Sequence, residues 1–452
     1  MRTNHNSTAV AGEKLEVRFA DRLVGHIERK SASVLDIGFS YDEAWKAAAD
    51  SFPVSIRMPL STKEHEPAIV YPWFLNLLPE GRTLEMVGAI LHVHEADVFA
   101  ILREMGGDVA GALEIRMNGE AAAARKPRYR RLTEAELADA IKRLPERPLL
   151  VGEDGIHMSV AGAQEKLPVV RYDDGGIGLA LDGAPSTHIL KPRNTRFRAA
   201  VENEAFCLRL AAAVGLPAAE VSMHRVLDVD YLLVKRYDRM IENRTVRRLH
   251  QEDFCQATGF PPSLKYEWNA HLNRSGPGLK ACLDVLNVTR AVAPNKIRFM
   301  DFMLFNVLCG NVDAHAKNYS WLIQPGGNVT MAPLYDVMNG DIYEGVTRSM
   351  AMKIAGKKLG GYIYGRHWDR FAEENDLSKT QVRRRVAELS TAVLKAVPKV
   401  VEQMNKSNMP SAVYKEIAGY VAGYCRHMLA NLKADVKEED EPNDEPSAVP
   451  AP

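Results

Sequence analysis

Leu15, Val17 and Phe19 alternate with Glu16 and Arg18. A period of two predicts a half-buried strand, opening a unit that runs to about Arg116. Apolar residues then take helical spacing near Tyr71–Leu78 and from Glu95 to Glu104. Short β-branched runs return at Leu167–Arg171, His188–Lys191 and Tyr231–Lys235. The stretch E-N-E-A-F-C-L-R-L-A-A-A-V after Val201 places Phe206, Leu210 and Ala213 on one helical stripe, closed by Gly215 and Pro217. These patterns predict an α/β (α+β) protein. A small N-terminal α+β domain covers 1–120, and a larger core covers 149–404, strand-rich over about 149–240 and helical over about 241–404. A C-terminal helix follows at 405–432. No period of 20–50 residues recurs, so a solenoid is not expected.

Composition changes this picture at the joints. Residues 121–148 open with small residues running into R-K-P-R-Y-R-R, which reads as a basic, solvated linker. Residues 433–452 are acidic and proline-rich. They have too little apolar surface to offset the entropy of ordering, so a disordered tail is expected. Fifty-eight basic residues balance fifty-eight acidic ones, which gives no support for non-specific nucleic-acid binding by the whole molecule. The run Arg383-Arg384-Arg385 is a local candidate for DNA contact, against the plainer reading of a solvated helix face. The five cysteines are scattered, with no C-x-x-C pair, so neither a disulfide framework nor a zinc site is indicated. No run of eighteen apolar residues and no signal-like N-terminus is present, which predicts a cytoplasmic protein without a membrane span.

The segment from Asp301 to Asn339 carries the chemistry. The apolar helix D-F-M-L-F-N-V-L-C is stopped by Gly310, and G-N-V-D-A-H-A-K-N-Y-S follows. Then Y-S-W-L-I, Q-P-G-G-N and V-T-M-A-P-L read as strand, turn and strand, ending at Tyr335-Asp336. Asp313 and Asn318 are five positions apart. Protein kinases use this order: a catalytic Asp, a metal-binding Asn five residues on, a hairpin, and a second metal-binding Asp. Asp313 would accept a hydrogen bond from the attacking hydroxyl, while Asn318 and Asp336 hold Mg²⁺ against ATP. Hard oxygen ligands favour Mg²⁺ over zinc. Taken singly, each of these residues is equally well a turn or cap residue. A metallohydrolase built on Asp313 and His315 is a rival reading that needs a third ligand nearby.

The nucleotide half is expected upstream. Ser159-Val160-Ala161-Gly162-Ala163-Gln164-Glu165-Lys166 precedes a strand, and small residues there let backbone N–H groups approach phosphates. The strand T-H-I-L-K-P brings up Lys191, with Glu202 or Glu204 as a candidate partner. The strand D-Y-L-L-V-K-R-Y-D-R suits a hinge that reads adenine through its backbone.

Together, S-V-A-G-A-Q-E-K, T-H-I-L-K-P, E-N-E-A-F-C, V-K-R-Y-D-R, L-H-Q-E-D-F-C-Q-A-T-G, G-N-V-D-A-H-A-K-N-Y-S and A-P-L-Y-D-V resemble the HipA family of bacterial toxin kinases. N-L-L-P-E-G from Asn76 and G-G-D-V-A-G-A-L from Gly106 look like that family's N-terminal domain. The resemblance spans roughly Leu15 to Met404 and implies a two-lobed, protein-kinase-like core. It implies a phosphate loop at Ala161, Gly162, Ala163, Gln164, Glu165 and Lys166, with Lys191 on phosphate. The hinge would be Lys235, Arg236 and Tyr237. Asp313 would be the base, with His315, Lys317 and Tyr335 around the nucleotide and Asn318 and Asp336 on Mg²⁺. Ser159 would be the site of autophosphorylation. It further implies an aminoacyl-tRNA synthetase as substrate (glutamyl-tRNA synthetase foremost), a HipB-like helix-turn-helix antitoxin, and operator DNA reached through that partner. The alternative is a non-catalytic pseudokinase serving as antitoxin partner and co-repressor.

Overall fold

A computed structural model describes residues 10–119, 127–242 and 245–434. The chain divides into two compact units that interleave along the sequence. Unit 1 holds Met1–Pro192, Arg225–Pro262 and Trp321–Val329; unit 2 holds Arg193–His224, Ser263–Ser320 and Thr330–Pro452. This corrects the consecutive halves expected at 149–240 and 241–404. Helix Ala200–Ala213 buries almost every residue from Val201 to Leu208, so it needs neighbours on all sides and belongs to the helical unit. Nearly all of the predicted acidic tail lies outside the described residues.

Unit 1 opens with strands β1 (Lys14–Phe19), β2 (Arg22–Arg29), β3 (Ile37–Tyr41) and β4 (Leu113–Met117), ordered β3-β2-β1-β4. Helices Pro67–Leu75, Arg82–Leu91 and Val98–Met105 lie between the third and fourth strands in sequence. A second sheet contains β5 (Arg128–Arg131), β6 (Leu167–Arg171), β7 (Ile177–Leu181), β8 (His188–Pro192), β9 (Val221–Val226) and β10 (Val229–Lys235), in the order β5-β7-β6-β8-β10-β9.

The predicted linker at 121–148 is folded where it is described. Arg128–Arg131 pairs antiparallel with β7, and Arg128 and Arg131 meet Asp182 and Asp174. Carboxylates distant in sequence therefore neutralise the charges that suggested a solvated stretch. Helix Glu134–Arg143 follows, started by a Thr133–Glu136 capping box. Its Leu137 and Ile141 join Val169, Leu179, Leu190 and Leu233 in one apolar core.

A three-stranded sheet of His250–Asp253, Ser320–Ile323 and Val329–Met331 contains the hairpin predicted from Q-P-G-G-N. On its first strand, fully buried Glu252 accepts hydrogen bonds from Ser55 Oγ, Trp73 Nε1 (2.9 Å) and Trp321 Nε1 (3.1 Å). Burial pushes this carboxyl up to about 7, against the pull of those three donors.

Unit 2 is mainly helical. Helix Val292–Leu308 is buried almost throughout from Phe299 onward. It ends at Gly310, whose φ of 66° only glycine adopts at little cost. The N–H groups of Gly310 and Asn311 donate back to Val307 (3.0 Å) and Asn306 (2.9 Å). A Cβ there would collide with Asp341 and Asn339. Helices Lys379–Asn405 and Val413–Asn431 pack together. The basic run is matched by the unit's own acids. Arg383 grips Asp369, Arg385 grips Asp301, and Arg384 lies 3.6 Å from Glu388. Among the described residues, no helix is long and apolar enough to cross a membrane.

Candidate active site

Unit 2 carries the expected acceptor side. The loop after Gly310 is buried from Ala314 through Ser320, yet the Asp313 side chain is 58 % exposed. A loop that hides its neighbours and presents one carboxylate is built around that group. Its backbone is fixed from both directions. Asn311 Oδ1 accepts from Asp313 N–H (3.2 Å), and Asn311 Nδ2 donates to Asn306 Oδ1 (2.7 Å). The Asp313 carbonyl accepts from His315 N–H (2.8 Å) and from Asn318 Nδ2 (2.8 Å). With Nδ2 committed there, Oδ1 is the Asn318 atom suited to a hard cation. His315 Nε2 lies 4.0 Å from Asp313 Oδ1.

Tyr335 braces this loop. Its hydroxyl donates to Lys317 O (2.6 Å) and lies 2.7 Å from Ser320 Oγ. The next residue, Asp336, is half-buried at φ 56°, in the left-handed region that Asp and Asn tolerate better than most residues. Two contacts hold its backbone neighbours. Leu334 bridges to Ala218 on one side. On the other, Asn203 and Asn339 exchange bonds: Asn339 N–H to Asn203 Oδ1 and Asn203 Nδ2 to Asn339 O, both 2.9 Å. Sequence reasoning weighed the glutamates of E-N-E and passed over the buried asparagine between them. Glu202 itself pairs with Arg193 (2.9 Å).

Tyr266 was also missed. Its hydroxyl donates to Asp313 Oδ1 at 2.5 Å, and its ring meets His315 edge-on, 5.0 Å between centroids. Nothing local in S-L-K-Y-E-W announces a residue that reaches 47 positions along the chain. Among the described residues, no three His, Cys, Asp or Glu side chains gather to hold a metal, so the metallohydrolase reading gains no third ligand. Asn318 and Asp336 supply hard oxygen donors suited to a cation that completes its shell with phosphate oxygens and water.

Unit 1 carries the expected nucleotide side. Ala163, Gln164 and Glu165 are exposed, and Lys166 folds back so that Nζ donates to Ala161 O (2.6 Å). Gly162 has φ 110°, and a Cβ on it would strike Lys166 Nζ. The loop is stitched to the N-L-L-P-E-G stretch. Gly162 bridges Pro79, Glu80 N–H donates to Gly162 O (3.3 Å), and Thr83 Oγ1 donates to Ala163 O (3.2 Å). Ser159 is fully buried, donating N–H to Asp108 O (3.0 Å) and Oγ to Leu77 O (2.8 Å). Lys191, half-buried on β8, stands opposite Leu232 of β10.

Arg236 is the middle residue of the expected hinge, and its side chain turns inward. Its N–H donates to Thr187 O (3.0 Å), its carbonyl accepts from Arg239 N–H (3.3 Å), and its guanidinium is fully enclosed. It belongs to a buried network in which Arg236, Arg239 and Arg248 face Asp108, Asp238 and Glu114. Burial pushes the Asp108 carboxyl up, but Arg239, Arg236 and Arg248 outweigh it and hold the group well below the usual carboxylate range. Lys235, exposed at the end of β10, and Tyr237, bonded through its hydroxyl to Gln251, complete the segment.

Residues 158–397 match the model of the HipA-like C-terminal domain, and residues 15–116 that of the HipA N-terminal domain. The chain is 37 % identical over 404 residues to a putative kinase, Y4mE, of Sinorhizobium fredii, covering 88 % of this chain and 94 % of the relative. It is 29 % identical over 404 residues to the serine/threonine-protein kinase toxin HipA of Shewanella oneidensis, covering 86 % and 91 %. Among solved structures it resembles a chain from the Shewanella oneidensis complex of HipA, HipB and operator DNA. That match has a TM-score of 0.78 at 26 % identity, over 92 % of this chain and 96 % of the other.

Proposed function

The chain belongs to the HipA family and is a serine/threonine-protein kinase of the toxin class, and we propose that its acceptor is a serine or threonine of an aminoacyl-tRNA synthetase, glutamyl-tRNA synthetase foremost. The observation that carries the catalytic assignment is the exposed Asp313 carboxylate on a loop locked by Asn318. Asp313 accepts a hydrogen bond from the acceptor hydroxyl and orients its oxygen. The new bond forms between that oxygen and the γ-phosphorus, the hydroxyl proton passes to the Asp313 carboxylate, the bond to the β–γ bridging oxygen breaks, and ADP leaves. Mg²⁺, held by Asn318 and Asp336, would supply charge neutralisation on the phosphates. Ala161–Lys166 and Lys191 would take the β- and γ-phosphates, with the backbone of Lys235, Arg236 and Tyr237 toward the base. His315 and Lys317 would line the nucleotide from the acceptor side.

A pulse of this protein in cells should place new phosphate on a synthetase within minutes, and the Asp313→Asn variant should not. Overproducing that synthetase should relieve growth arrest. Arrest with every synthetase unmodified would remove this substrate class. A HipB-like antitoxin that carries the complex to operator DNA is the partner this family membership favours, in line with the Shewanella oneidensis assembly.

Ser159 is the proposed self-inactivation site. Its hydroxyl is enclosed and bonded to Leu77 O, so the segment must leave this place before it can be modified. A phosphate adds about −1.5 to −2 charges at neutral pH, which the enclosed position does not accommodate. The loop from Ala161 to Lys166 would then stay displaced and ATP would bind poorly. After incubation with Mg-ATP, mass spectrometry should find phosphate on Ser159, and nucleotide affinity should fall at least about tenfold. Phosphate there with undiminished affinity rejects the switch, and no phosphate there rejects the site.

A further inference from the structure

Two residues beyond the tyrosine that holds Asp313, the chain forms a small hairpin in which Trp268 pairs with Ser275 and Asn269 with Arg274. Its base is anchored. Glu267 N–H donates to Ala351 O (3.2 Å), Lys353 N–H donates to Glu267 Oε2 (2.5 Å), and Gly276 N–H donates to Glu267 O (3.1 Å). Its tip is set as well. Asn269 Oδ1 accepts from Leu272 N–H (3.0 Å), Asn269 Nδ2 donates to Ser263 O (2.8 Å), and Asn273 is left-handed at φ 48°. Yet this fixed element leaves Trp268 52 % and Leu272 49 % exposed. Exposed apolar residues grouped on one element and rimmed by polar ones mark interaction sites, and tryptophan and arginine are enriched among the residues that carry binding energy.

Position and charge say what the contact is. Tyr266 donates to Asp313 Oδ1, and Trp268, two residues on, can lie no more than about 7 Å from it along the backbone. Whatever rests on the hairpin therefore rests beside the acceptor position. The tip carries exposed His271 and Arg274 and no carboxylate, since the one acid of the hairpin base, Glu267, is turned to Lys353 N–H.

Resting on the kinase reading above, we propose that the hairpin Trp268–Ser275 is the docking element for the protein acceptor, gripping an apolar side chain flanked by acidic ones within roughly five residues of the phosphorylated serine. Docking there sets acceptor specificity apart from nucleotide binding. It also gives the incoming chain a route to draw the Tyr266 hydroxyl off Asp313 as the acceptor hydroxyl takes its place.

The test uses the full chain, Mg-ATP and two synthetic serine peptides. One carries leucines and aspartates within five residues of the serine; the other carries serines and lysines in their stead. The wild-type protein should phosphorylate the first with at least about a tenfold lower KM. Trp268→Ala combined with Leu272→Ala should raise KM for the first peptide at least about tenfold, with kcat and peptide-independent Mg-ATP turnover within about twofold. Arg274→Glu, a surface change that leaves the apolar pair in place, should erase or reverse the charge preference. Unchanged KM in both variants overturns the docking element. Wild-type turnover of Mg-ATP with no preference between the peptides, or with neither phosphorylated, overturns the acidic-apolar chemistry alone. No phosphoryl transfer by the wild type to any protein, itself included, overturns the kinase reading and the docking element with it.

Discussion

Asp313→Asn should lower protein phosphorylation by about a hundred- to ten-thousandfold, the usual weight of a positioned acid or base, while Mg-ATP affinity stays within about twofold. Asparagine keeps the size of the side chain and leaves an oxygen to accept from Tyr266, so the loop held by Asn311 and Asn318 should persist. What is lost is the negative charge proposed to orient the acceptor hydroxyl. Asp336 should behave differently. Removing its carboxylate takes away a proposed cation ligand, so Mg-ATP affinity should fall together with turnover. Asparagine is the cleaner substitution there too, because at φ 56° alanine adds backbone strain of about 1 kcal/mol or more. Calorimetry and single-turnover labelling of the two variants separate these effects. Near wild-type labelling by Asp313→Asn would remove it from the acceptor role, and unchanged Mg-ATP affinity in Asp336→Asn would remove that residue from the metal site.

The largest effect on stability is expected at Asp108. Substituting asparagine leaves Arg236, Arg239 and Arg248 enclosed with one carboxylate fewer. Removing one partner from a buried ion pair costs about 3–5 kcal/mol, because the remaining charge has no water to turn to. For a unit of this size that corresponds to a drop of roughly 6–20 °C in melting temperature. The arginines set the sign with pH. The folded carboxyl titrates below its unfolded value of about 3.9, so its contribution is complete above about pH 4 and is lost as pH falls through the folded value. Thermal melts of the wild type and Asp108→Asn at pH 7 check the magnitude. Equal melting temperatures would show that the network is not what holds the 106–117 segment to the second sheet.

Legibility in the sequence followed the range of the interaction. The strands at Leu167–Arg171, His188–Pro192 and Val229–Lys235 and the helix–loop–hairpin around Asp313 were readable because Gly310, Pro325-Gly326-Gly327 and the β-branched runs act on their own neighbours. The β5 strand was not readable. Its one aromatic sits among arginines, and the carboxylates that neutralise them lie 43 and 54 positions away. The burial of Arg236 was unreadable for the same reason: Asp108, which meets its guanidinium, lies 128 positions earlier. Tyr266, Asn203 and Asn339 act across 47 and 136 positions, and no local periodicity reports a partner at that distance. The segments that carry the candidate groups were therefore legible, while most of the side chains that hold those segments in place were not.

The placing of Trp321–Val329 within unit 1 has a consequence in time. As the chain leaves the ribosome, Ser55, Trp73 and Glu252 emerge early, but the indole that completes the bonds to Glu252 is added about 60 residues after the preceding segment of its unit. At ~5–20 residues per second that delay is roughly 3–12 s, far longer than local helix and hairpin formation. Through that interval unit 1 has an open seam and a buried acid short of one donor. It closes only when the residues just beyond the Asp313 loop have been made, so a truncated nascent chain stopped before Trp321 lacks a finished first unit.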